Sequence, residues 1–155
     1  MAGLDAFGTQ FLRGDGAATE VFTALANVTE IGGPEIERET LDVTSHGSPD
    51  GWKEYIGGLK DGGEVSVEIN YDPRVHDELV ADFGATEPMN YKIVWPAAAG
   101  GGSWEFAAVM TGFAPEAPYD DKLAAELTFQ VSGKPTLTAG TPLAFAATQT
   151  KTLGK

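Results

Sequence analysis

The chain has no cysteine. That absence excludes disulfides, thiolate metal sites and thiol nucleophiles together, and it fits a reducing compartment. Basic residues are scarce: 10 Lys and Arg stand against 23 Asp and Glu, a formal net charge of −13. Such a chain repels phosphate backbones rather than gripping them, so tight nucleic-acid binding is excluded. His46 and His76 are the only histidines, and they form no cluster of the three or four ligands that zinc needs. Both are expected in water, His46 on a long loop and His76 on an open helix face. No apolar run reaches about eighteen residues, so no membrane-spanning helix is expected. The first residues, MAGLDAFGTQFLRGDG, have neither a basic start nor an apolar stretch, so no secretory signal is expected. Gly100–Gly102 lack the lysine of a phosphate-binding loop, and Ser45-His46 lack the third group of a triad. No catalytic residue, metal or cofactor is expected, and the chain is not read as an enzyme.

What is present is alternation. At 155 residues and 42% hydrophobic content, the length suits one domain with its own core. Glu20–Ile31 reads as a first strand, turned by Gly32-Gly33-Pro34. Glu37–Thr44 and Glu64–Tyr71 alternate: Val65, Val67, Ile69 and Tyr71 share one face, Glu64, Ser66, Glu68 and Asn70 the other. Met89–Trp95, Ser103–Phe113 and Leu123–Val131 continue the pattern, which predicts an antiparallel sheet with one wet face. Asp72-Pro73 opens a helix over residues 73–83, with Val75, Leu79 and Phe83 as its apolar stripe and Gly84 as its stop. Asp120-Asp121 reads as turn chemistry. Residues 1–19 and 133–155 lack periodicity and read as N- and C-terminal arms around a domain spanning 20–132. Arg13-Gly14-Asp15 matches a short integrin-binding tripeptide, a chance match without an extracellular context.

The feature that organises the rest is Ser45–Gly63, between two predicted strands. A hairpin needs two to five loop residues, and a loop several times longer is usually functional or disordered. This one carries Trp52, Tyr55, Ile56 and Leu59, which one helical turn would gather on one side. Such side chains need something to pack against. Two expectations stand: the loop folds back on its own domain, or it docks on a neighbouring copy.

The stretch VTSHGSPDGWKEYIGGLKDGGEVSVEINYDP at Val43–Pro73, followed by a short helix, resembles the major tail tube proteins of long-tailed, non-contractile phages and related gene transfer agents. The resemblance covers roughly Glu20–Pro135. It implies an antiparallel β-sandwich or barrel-like domain with one flanking α-helix, a long inter-subunit loop, and extended arms. It also implies homo-hexameric rings stacked into a hollow tube, assembled in the host cytoplasm. Double-stranded DNA would pass through the lumen without specific binding, and tape-measure, tail-tip and tail-terminator proteins would be partners. Asp42, Glu64, Glu68 and Glu126, on predicted polar strand faces, are the candidate lumen lining. Other readings are a tail terminator or head decoration protein, an effector-secretion tube of the type VI kind, and a carbohydrate- or surface-binding β-sandwich using Trp52, Trp95 and Trp104.

Overall fold

The computed structural model describes residues 3–140. In chain order the strands are β1 (Gln10–Gly14), β2 (Phe22–Ala24), β3 (Val28–Gly32), β4 (Glu37–Asp42), β5 (Tyr55–Asp61) and β6 (Glu64–Asn70). Two short helices follow, α1 (Pro73–His76) and α2 (Leu79–Phe83), then β7 (Met89–Val94), β8 (Ser103–Glu116) and β9 (Ala124–Thr138). Seven strands form one sheet in the order β2-β1-β7-β8-β9-β6-β3, while β4 and β5 form a separate two-stranded sheet. Every pairing is antiparallel. The chain is mainly β, as the alternation predicts, and the sheet does not close into a barrel.

One face of the large sheet is the core. Val65, Val67 and Ile69 of β6, Tyr91 and Ile93 of β7, Phe106, Ala108 and Met110 of β8, and Leu127, Phe129 and Val131 of β9 are all buried. The sheet curls over this face. Phe11 on β1 and Phe129 on β9 lie three strands apart, which is about 14 Å in a flat sheet, yet their ring centroids are 5.5 Å apart. Tyr91 fills the fold between them, 4.6 Å from Phe129 and 5.6 Å from Phe11.

Several sequence expectations change. Residues 10–14 are not part of an arm: β1 lies between β2 and β7, and Phe11 is only 1% exposed. In Gln10-Phe11-Leu12-Arg13-Gly14 the only two apolar side chains are adjacent, so there is no alternation to read. The predicted strand Glu20–Ile31 is two strands, β2 and β3, broken at Asn27, whose φ of 59° is a left-handed turn conformation. The C-terminal arm begins later than residue 133, because β9 continues to Thr138 and pairs Leu137 with Trp104. Leu143 and Phe145, also assigned to that arm, lie outside the described residues.

The helix over 73–83 is two pieces. Between them Val80 N–H donates to Asp77 O and Ala81 N–H to Glu78 O, three-residue bonds that wind the chain tighter than an α-helix. A three-residue period replaces the four-residue stripe. His76, Leu79 and Asp82 are therefore buried, whereas Val75 and Phe83 are exposed. His76 is not on an open face. Its Nδ1 accepts from Asp72 N–H at 3.0 Å, and its Nε2 donates to Ala26 O at 2.8 Å.

The long loop is a hairpin arm. β5 pairs with β4, not β6, so 7 residues of Ser45–Gly63 are strand. The arm leaves the sheet at Gly63, whose φ is 70° and whose α-carbon packs against Glu35 O too closely to admit a β-carbon. In a strand, Tyr55 and Ile56 point to opposite faces, so the four apolar side chains do not share one helical side.

Candidate assembly surfaces

Among the described residues, three surfaces bear on assembly: the hairpin arm, two strand edges and the wet face of the large sheet. On the arm, every β4 residue is exposed, and nearly every β5 residue. One arm face carries Leu41 opposite Ile56, with Val43 beyond; the other carries Asp42 opposite Tyr55. At the tip, Trp52 is 75% exposed, and on β5 Leu59 is 80% exposed. The tip is nonetheless well built. Val43 N–H donates to Glu54 O at 2.9 Å, Ser48 Oγ–H to Glu54 Oε2 at 2.7 Å, and Glu54 N–H to Thr44 Oγ at 2.8 Å. A two-stranded hairpin is marginal alone in water, and these bonds hold an apolar surface ready without burying it.

The second surface is a pair of edges. The strands β3-β6-β9 and the second half of β8 make a four-stranded stretch. β3 ends the sheet on one side. On the other, β7 covers β8 only as far as Ala108, so the backbone of residues 109–116 has no strand partner there among the described residues. Successive strands are antiparallel, so β3 and β8 run in opposite directions. An edge of this kind is a template for another chain, and these two edges are complementary in direction.

The third is the wet face of that stretch. Glu30 lies opposite Glu68, and Glu68 opposite Glu126, giving one row of carboxylates across β3, β6 and β9. Like charges directly opposite repel. Glu68 responds by holding its proton above the ordinary carboxylate range, chiefly through a hydrogen bond shared with Glu30, then through the charges of Glu30, Glu126 and Glu116. No ion pair involves these carboxylates among the described residues. Glu64 is on the same face, opposite Gln130. Asp42 is not: it belongs to the hairpin arm, apart from the other three residues predicted to line a lumen. Glu30 was missed because its strand partner, not its own sequence context, puts it in the row.

A polar knot around the buried Asp82 braces the subunit. Arg13 Nε and Nη2 donate to the two oxygens of Asp82 at 2.6 Å each, and Tyr91 O–H donates to Asp82 Oδ2 at 3.0 Å. Burial, followed by the Asp82 charge, pushes the Tyr91 hydroxyl up, so it stays a donor. Arg13 is thus committed to the fold and not to an integrin-type ligand. Trp52 sits at the arm tip, Trp95 packs against the core and Trp104 pairs with Leu137, so the three tryptophans form no common platform. Among the described residues, no cluster of His, Asp and Glu suits a metal, and no helix is long and apolar enough to cross a membrane.

Residues 8–138 match the family model of the lambda phage tail tube protein. The chain belongs to that family. Its role is structural, as a component of a virion tail. No curated protein matches the sequence. Among solved structures, the tail of an empty gene transfer agent particle, refined with C6 symmetry, is 18% identical, with a TM-score of 0.70 over 88% of this chain and 100% of that one. A protein of a native gene transfer agent virion is 22% identical, with a TM-score of 0.62 over 76% of this chain and 89% of that one. The sheath/tube terminator assembly of an extracellular contractile injection system contains a chain 13% identical, with a TM-score of 0.66 over 90% and 99%. At these identities the likeness is one of fold.

Proposed function

We propose that six copies of this chain close into a ring, that rings stack into a tail tube, and that double-stranded DNA passes through the lumen without specific binding. The observation that carries the reading is the pair of free, oppositely directed edges on β3 and β8. Pairing them between copies continues the four-stranded stretch without a break and leaves neither of these two edges exposed. Six four-stranded stretches make a wall of about 24 strands, roughly 40–50 Å across at the backbone for ~4.8 Å spacing and a tilt near 40°. In that wall the Glu30–Glu68–Glu126 row faces the lumen, with Glu64 beside it. Asp42 moves with the arm instead. The C6 symmetry of the gene transfer agent tail supports the count of six.

The hairpin arm then docks on a neighbouring copy through Trp52, Tyr55, Ile56 and Leu59. Tape-measure, tail-tip and terminator proteins meet the tube at its inside and ends, and no catalytic step is assigned to the chain. Negative-stain microscopy of the concentrated protein tests the reading. Hollow filaments are expected. Single rings that never stack would indicate a terminator, and a protein that stays monomeric even when seeded with tube fragments would overturn it.

A further inference from the structure

A groove of about 920 Å³ runs between the root of the hairpin arm and the end of β9. Ile36 and Arg38 form one wall; Lys134, Pro135 and Leu137 form the other, and Trp104 is part of its lining. Ile36 and Leu137 are each 57% exposed, an apolar surface with nothing on it among the described residues. The family match stops at residue 138, yet the chain runs to residue 155 with the sequence TPLAFAATQTKTLGK from Thr141. The described chain ends beside this groove: Thr138 pairs with Ser103, and Gly140 packs against Gly100 and Gly102.

We propose that this chain's own residues 141–155 fill the groove, with Leu143 and Phe145 seated against Ile36, Trp104 and Leu137. The reach is short. Leu137 precedes Gly140 by three residues, and Leu143 follows it by three, each a span of about 10 Å. A reversal at Thr141-Pro142, where proline suits the second position of a turn, lays Leu143 back over Leu137 and Phe145 beyond it. A tether this short makes the contact intramolecular at high effective concentration, which favours the chain's own tail over a second copy. The tail has no acidic side chain and no charge before Lys151, so it covers a groove whose basic side chains outnumber its acidic ones without burying a carboxylate. The arm is otherwise tied down mainly at its root, by Glu35 N–H to Glu64 O and Val131 N–H to Gly63 O. A filled groove therefore acts as a wedge that sets the angle of the arm to the sheet. The proposal concerns the single subunit and holds whether or not rings form.

The absence of cysteine makes the test clean. Ala146→Cys carries one nitroxide spin label on the full-length monomer, and amide signals of the isotopically labelled chain are read by NMR. Signals of residues 36–38 and 133–137 should lose most of their intensity. They should regain it when Leu143→Asp and Phe145→Asp are added. Loss that persists in that variant would mean mere tethering, and would overturn the proposal. So would loss seen only when spin-labelled, isotopically silent chains are mixed with unlabelled-tail chains, since the occupant would then be a second copy. No loss in the groove would also overturn it.

Discussion

The large sheet and the hairpin arm use the same apolar residue types in opposite ways. In the sheet, Val65, Val67, Ile69 and Phe129 are sealed within one chain. In the arm, Leu41, Ile56, Leu59 and Trp52 stay in water, while hydrogen bonds at the tip fix their frame. The sheet buries its apolar side chains within its own chain, and the arm leaves its own uncovered. The knot of Arg13, Asp82 and Tyr91 sharpens the contrast. It joins β1, α2 and β7 across 69 residues of sequence, so this part of the fold is fixed by contacts within its own chain.

The comparison breaks first at this knot. Asp82→Ala leaves the half-buried Arg13 guanidinium and the buried Tyr91 hydroxyl without their partner, a change that costs about 2–3 kcal/mol. Melting by circular dichroism should fall by roughly 5–10 °C. Adding Arg13→Met should recover part of the loss, because the stranded charge goes with it. Phe11→Ala should cost ~3–5 kcal/mol through the cavity it leaves. A Phe11→Ala chain that melts like the wild type would return residues 10–14 to the status of an arm.

Legibility followed the same division. β6 was readable because its alternation is unbroken from Glu64 to Tyr71. β1 was not, since its evidence is a single phenylalanine whose partners lie on distant strands. β5 was hidden by Gly57-Gly58, which weaken strand propensity; the Arg38 guanidinium lies over Gly57. The helix boundaries were readable from Asp72-Pro73 and Gly84, but the tightened winding changed which residues face inward. Glu64, Glu68 and Glu126 were visible as polar-face residues. That Glu30, Glu68 and Glu126 stand in one row depends on register, which no local pattern encodes.

Trp52→Ala separates the two regions most cleanly. Its exposure predicts a monomer within ~0.5 kcal/mol of the wild type. Its proposed place between copies predicts a loss of about 2 kcal/mol or more in assembly, a roughly 30-fold rise in the concentration needed for tubes. Turbidity and sedimentation read the assembly, and thermal melting reads the monomer. A strongly lowered melting temperature would mean that the tip belongs to its own domain.

Lysine substitutions then compare the wet sheet face with the arm in assembled particles. DNA carries one charge per about 1.7 Å of axis, and screening at about 0.15 M salt extends ~8 Å. Lysines at Glu68 and Glu126 should attract the duplex and slow ejection, more so at low salt, without blocking assembly. Asp42→Lys, on the arm, should leave ejection unchanged. Equal effects from both positions would mean that the sheet row does not line the lumen.

The smallest effect belongs to the carboxylate row itself. Glu68 holds its proton above the ordinary carboxylate range, chiefly through the hydrogen bond shared with Glu30. The folded state therefore binds that proton more tightly than the unfolded chain does. Its stabilising contribution is complete below the unfolded value of about 4.3 and is lost as pH rises through the raised folded value. Above that window, repulsion along Glu30, Glu68 and Glu126 stands uncompensated. Glu68→Gln removes the middle charge and leaves an amide that still donates to Glu30. Chemical denaturation should find the variant slightly more stable than the wild type at about pH 7 and indistinguishable at about pH 4. Assembled tubes should widen the gap, because each copy adds its own row to the same wall and screening is weaker inside it. Identical pH profiles for the two proteins, free and assembled, would mean that water screens the row completely and that its charges reach the passing duplex no more strongly than they reach one another.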